Sequence, residues 1–294
     1  MEGTAALLKT FDIARKDLLR SFRSAFLLMF MFGIPLLVTG MFALMFGNLQ
    51  ESASPPETAD AGQVSMEAAA AALLDVQSPF PERQPVSSGN MVTNVIGPVM
   101  GGMLIFFAFF TAVSAAQTIL KEEEEGTLPR LFTTPTSAAA ILNGKFLAVG
   151  LTVLVQISLL LAASALIFHI PWGSLASAAL TALGATGAAT GFGIFFVSLL
   201  KNMRQAGAVT GGLLTLTGML GMMPVFASSA SGEVSPLLLV SRCVPQGWAV
   251  NGLLLGLHSA SLGEVALNSL ALLIWTLAFL WIGVRRFRQR YMKG

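Results

Sequence analysis

Four consecutive glutamates, Glu122, Glu123, Glu124 and Glu125, are the densest group of titratable side chains in the sequence. Adjacent carboxylates repel one another, so they need either solvent or a basic partner. They sit within Lys121-Glu122-Glu123-Glu124-Glu125-Gly126-Thr127-Leu128-Pro129-Arg130-Leu131-Phe132-Thr133-Thr134-Pro135. Gly126 allows a turn, and Leu128, Leu131 and Phe132 give a short helix an apolar face. Thr134-Pro135 ends it, because the residue before proline is pushed out of the helical region. A segment that only connects has no reason to display Leu and Phe to water, which argues against a mere solvated loop. Other chemistry fails on spacing. Gly144-Lys145 is followed by Phe146, and Ala139 stands where a phosphate loop needs its first glycine, so GxxxxGK[ST] is missed at both ends. His169 and His258 have no acidic or thiol neighbour at ligand spacing, and there is no G-x-S-x-G serine, so neither a metal site nor a catalytic residue is expected. The single cysteine, Cys243, excludes an intrachain disulfide and a CxxC site.

The elements that must position this segment are membrane helices. The 294 residues are 54% hydrophobic and only 11% charged, far below the roughly 25% charge of an ordinary soluble domain. Six runs free of Asp, Glu, Lys and Arg are long enough to cross a hydrocarbon core, which takes about 20 helical residues: 26–46, 95–120, 146–168, 175–200, 206–226 and 265–284. The first exceeds the apolar core of a secretory signal, so it is expected to stay as an anchor. With both termini inside, all but Arg83 and Arg242 of the 17 lysines and arginines face the cytoplasm, as the positive-inside bias requires. A seventh span near 237–257 is rejected: Arg242, Pro245, Gln246, Gly247 and Asn251 interrupt it, and it would put the basic C-terminal tail outside. The expected fold is therefore an all-α membrane protein, one transmembrane domain over 1–294 with six transmembrane helices. Residues 4–24 form a basic amphipathic interface helix, with Leu7, Phe11, Ala14, Leu18 and Phe22 on its apolar face. Residues 47–94 form a proline-rich, acidic external loop, 121–137 the cytoplasmic segment, and 227–264 short broken or re-entrant helices on the outer side between spans 5 and 6.

Glu123, Glu124, Gly126, Thr127, Leu128, Leu131, Thr134, Pro135, Gly144 and Lys145 match, in type and topological place, a segment of a known family. The chain resembles the six-helix permease subunits of bacterial ATP-binding-cassette exporters, the type V kind that moves drugs, lipids and polysaccharide precursors. Pro129 departs from that pattern, which has a polar helix-former there. The resemblance implies that 121–137 is a coupling segment seated in a groove of an ATPase subunit. Its docking residues would be Glu122, Glu123, Glu124, Glu125, Gly126, Thr127, Leu128, Arg130, Leu131, Thr134 and Pro135. It further implies two ABC ATPase subunits that carry the ATP and Mg, no cofactor in this chain, and a second permease copy or homologue. The setting would be a bacterial inner (plasma) membrane, and the cargo an apolar or amphipathic drug, lipid or lipid-linked molecule. No nucleic-acid partner is expected.

Inside the spans, the absence of Asp, Glu, Lys and Arg counts against the rival reading, an ATP-independent secondary transporter or channel. Met103, Phe106, Phe107 and Phe110 form an adaptable apolar wall on span 2, a candidate substrate path. The glycines of span 5, Gly207, Gly211 and Gly218, are a candidate dimer face, since small residues let membrane helices approach closely.

Overall fold

The computed structural model describes residues 2–23, 28–53, 92–133, 138–227 and 236–291. No strand occurs among the described residues. Apolar runs in a bilayer must satisfy their backbone groups internally, which a helix does residue by residue. In chain order the helices are α1 (Glu2–Phe22), α2 (Ile34–Ala53), α3 (Gly97–Glu124), α4 (Thr127–Phe132), α5 (Ala138–Ile167), α6 (Leu175–Leu199), α7 (Met203–Ala227), α8 (Pro236–Ser241), α9 (Pro245–Leu257) and α10 (Leu262–Tyr291). Five stretches among the described residues are long and apolar enough to cross a membrane: Val92–Glu124, Ala140–Ile167, Leu175–Leu199, Met203–Phe226 and Leu262–Phe287.

The apolar run at 26–46 is shorter in its described part, Met29–Met45. It opens with a π-helical turn, Met29–Gly33, in which the Ile34 N–H bonds to the carbonyl of Met29. A π turn alters the regular pattern of backbone bonding. Buried Gln156 of α5 donates to the Met31 carbonyl at 3.1 Å, which ties this turn into the bundle. Most of the expected external loop, residues 54–91, lies outside the described residues.

α3 and α6 form the buried centre, and α6 lies along α10. Their closeness depends on glycine: a Cβ on Gly187 would stand 2.9 Å from Thr276 Oγ1, and one on Gly191 3.1 Å from the Thr276 carbonyl. Short α8 and longer α9 occupy the region where a seventh span was rejected, and Pro245 begins α9, where its missing N–H is not needed. α9 is largely buried, packed on α3, α6, α7 and α10. Polar side chains join these helices: Asn251 donates to Asn268 Oδ1 and Asn268 to the Trp248 carbonyl, both at 2.9 Å, and Gln246 donates to Thr217 at 3.0 Å. α1 lies against α5, presenting Ile13 and fully buried Ala14.

Several helices outrun the uncharged stretches that announced them. α3 runs to Glu124 rather than 120, α5 starts at Ala138 rather than 146, and α10 extends to Tyr291 rather than 284. Charge marks the edge of the hydrocarbon, not the end of a helix whose charges are paired.

Candidate functional site

The extensions of α3, α5 and α10 meet at one end of the bundle, and there the glutamate run finds its partners. Gly126 has φ +68°, the left-handed conformation that ends helices and that a side chain disfavours. The chain turns there from α3 into α4, and Thr127 Oγ1 donates to the Glu122 carbonyl at 3.1 Å, satisfying one of the carbonyls a helix end leaves open. Pro129 falls in the first turn of α4, among the residues whose N–H groups lack an intrahelical acceptor. The departure from the family pattern therefore leaves the short helix intact.

The carboxylates reach four different elements. Glu122, its side chain 9% exposed, contacts Lys145 Nζ of α5, which also holds Asp17 of α1 at 2.8 Å. Arg20 of α1 reaches Glu122 from the rim at 3.4 Å. Glu123 receives two bonds from Arg290 of α10, at 3.2 and 2.8 Å, the paired geometry that suits a guanidinium and a carboxylate. The same Arg290 donates to the Leu200 carbonyl just beyond α6 at 2.8 Å. Glu124 accepts the Met203 N–H at 2.7 Å in the first turn of α7, where an anion complements the helix dipole. Glu125 pairs with Lys121 along α3 at 3.8 Å.

One expectation is met and one needs correction. The glutamates take both of the expected routes: Glu122 and Glu123 find basic partners on α1, α5 and α10 and Glu125 one on α3, while Glu124 accepts a backbone N–H from α7 and, like Glu125, is exposed to solvent. Leu128 does not face outward: it is fully buried in the core, and Leu131 is half-buried against the same core. Exposed on the segment are Lys121, Glu124, Glu125, Thr127, Arg130 and Thr133. Thr134 and Pro135 lie outside the described residues.

Asp17, Arg20, Lys145 and Arg290 were not singled out by sequence as site residues. Asp17 carried a signal, an acid in line with Ile13 and Ala14 on the buried face of a basic helix. Gly144 carried another: a Cβ there would meet Ile13 Cβ and the Thr10 carbonyl at 2.9 Å. The Gly-Lys pair thus has a local purpose, glycine admitting α1 and lysine fastening it.

Of the candidate substrate wall, Phe107 is buried, while Met103, Phe106 and Phe110 are half-buried. Phe106, Phe107 and Phe110 cluster with Phe30 of the π turn, with ring centroids 4.9–5.6 Å apart. The glycines of α7 divide. Gly207 and Gly211 face open space, whereas Gly218 is buried against the Phe106 ring inside this chain. Gly218 is therefore a packing contact between α7 and α3, not part of an outer face.

No curated protein matches this chain. A profile of the family described as ABC-2 family transporter protein matches residues 64–285, which takes in α3 to α9 and all of α10 but its last turns. That match spans most of the sequence, including the acidic end of α3 and Lys145 though not α1 or Arg290: the chain belongs to the ABC-2 transporter family, as a multi-pass membrane component of an ABC transport system.

Proposed function

We propose that this chain is the permease subunit of an ABC exporter of the six-helix type V kind, moving an apolar or amphipathic substrate outward. It crosses a bacterial plasma membrane six times, α2 supplying the remaining crossing, with both termini in the cytoplasm and α1 along the inner leaflet. A second copy or homologue completes the pathway, and two ATPase subunits carrying ATP and Mg dock on residues 121–137. The observation that supports this reading best is the convergence of α1, α5, α7 and α10 on the acidic end of α3, one turn away from exposed Arg130. A push on α4 there is passed by ion pairs and backbone bonds to most of the bundle at once, so the helices shift as bodies. Such a switch moves only as far as the ATPase's differential affinity for the two forms allows.

Within the docking segment the roles divide. Glu122 and Leu128 hold the lever from inside, and Thr127, Arg130, Glu124 and Glu125 form the outward surface. Replacing Cys243, the sole cysteine, by Ser gives a background for cross-linking. Arg130→Cys in that background is expected to form an adduct with a subunit that azido-ATP labels. Leu175→Cys, at the opposite end of the bundle, is not. An adduct from Leu175 alone, or none from Arg130 in a transport-competent complex, overturns the docking assignment.

A further inference from the structure

We propose that the outward face of α1 is a headgroup site for anionic phospholipid of the cytoplasmic leaflet. The proposal rests on the membrane orientation given above but not on ATPase docking. The opposite face of α1 is already occupied. Thr10 donates to the Ala140 carbonyl at 3.4 Å, Ile13 lies over Gly144, Ala14 is fully buried, and Asp17 is bound by Lys145. What remains outside is an open concavity of about 570 Å³ lined by Asp12, Arg15, Lys16, Leu19, Arg20 and Arg23.

Four cations against one carboxylate favour an anion. Arg20 gives one nitrogen to Glu122 and keeps further donors, since a guanidinium carries five N–H groups. The apolar side chains decide which anion. Leu19 lines the same concavity and is 49% exposed, and Phe11, elsewhere on α1, is 56% exposed. A soluble phosphate leaves both in water, whereas a phospholipid covers them with its acyl chains while its phosphate meets the arginines. Basic side chains and a large apolar one on one outward face fit the boundary between headgroups and hydrocarbon. The depth agrees: the bonds from Asp17 and Arg20 to Lys145 and Glu122 hold α1 level with the charged ends of α3 and α5. Each cation near an anionic leaflet contributes about 1 kcal/mol, and salt screens the attraction.

The test is native mass spectrometry of the full-length chain taken from an equimolar mixture of phosphatidylglycerol and phosphatidylcholine. The wild type is expected to retain phosphatidylglycerol preferentially. Combined Arg15→Gln, Lys16→Gln and Arg23→Gln is expected to weaken that preference roughly a hundredfold. Arg285→Gln with Arg286→Gln, exposed cations of α10, leaves it in place. Arg15→Lys with Arg23→Lys keeps charge and retains binding, which a collapse of α1 does not. Absence of a preference in the wild type, equal loss in the α10 variant, or displacement by inorganic phosphate as effective as by short-chain phosphatidylglycerol overturns the proposal. No ATPase takes part, so failure here leaves the docking assignment standing, and failure there leaves this one.

Discussion

Lys145 is the residue on which the charged end of the bundle depends. Its side chain is 3% exposed and binds Glu122 and Asp17, themselves 9% and 13% exposed. Two carboxylates that far from water are tolerable only with the ammonium between them, and removing one member of a buried ion group costs about 3–5 kcal/mol because the others stay charged and unpaired. Lys145→Ala is therefore expected to lower the melting temperature of the detergent-purified chain sharply. Replacing the whole group, Lys145→Met with Glu122→Gln and Asp17→Asn, is expected to recover most of the loss. A single variant as stable as wild type refutes this account. The sequence announced the glutamates by their crowding and the need for counter-charge by simple repulsion. It could not name the partners, because Asp17 and Arg290 lie at the two ends of the chain and their proximity to α3 is created only by folding. Leu128 illustrates the same limit: its apolar nature was plain, but whether this chain or another would cover it depends on how α4 turns at Gly126.

Among the elements, the long apolar helices were legible because uncharged length is a direct consequence of the solvent. Their ends were not, since Lys121 through Glu124 are polar yet helical, held by contacts across the bundle. The π turn at Met29–Gly33 was equally hidden; its tie to Gln156 joins residues far apart in sequence. The seating of α1 on α5 is the relation between elements most open to test. The Gly144 site has no room for a side chain, because one obstacle is the Thr10 backbone carbonyl, which cannot rotate aside. Gly144→Leu is expected to lift α1 at a cost of about 1–3 kcal/mol. With Cys243→Ser and Ala14→Cys, a buried reporter, maleimide labelling should then accelerate by roughly ten- to a hundredfold relative to the same protein with Gly144. Unchanged labelling means that α1 is held some other way.

For the whole molecule the issue is which end of the bundle meets the cytoplasm. Arg20, Lys145 and Arg290 pair with the acidic end of α3, and Arg285 and Arg286 lie on α10 just before Arg290; under the proposed topology the positive-inside bias would put that end in the cytoplasm. Arg242 is the exception among the described basic residues: it lies 5.5 Å from the centre of the Trp248 ring, and its carbonyl accepts the Trp248 indole N–H at 2.9 Å. A cation against an aromatic face at the membrane boundary fits an outer edge, where Trp and Arg are both tolerated. Cys243, the next residue, is exposed and provides a natural reporter for that side. In right-side-out vesicles a membrane-impermeant maleimide should label Cys243 directly, and in inverted vesicles only after permeabilisation. Arg286→Cys in a Cys243→Ser background should give the opposite pattern. Reversal of both patterns turns the bundle over, moves the acidic end away from ATP and rules out an ATPase on residues 121–137. Labelling of both sites from the same side implies an even number of crossings between them: either α10 does not span the bilayer, which its apolar length from Leu262 to Phe287 opposes, or α9, which lies between Cys243 and α10, crosses as well.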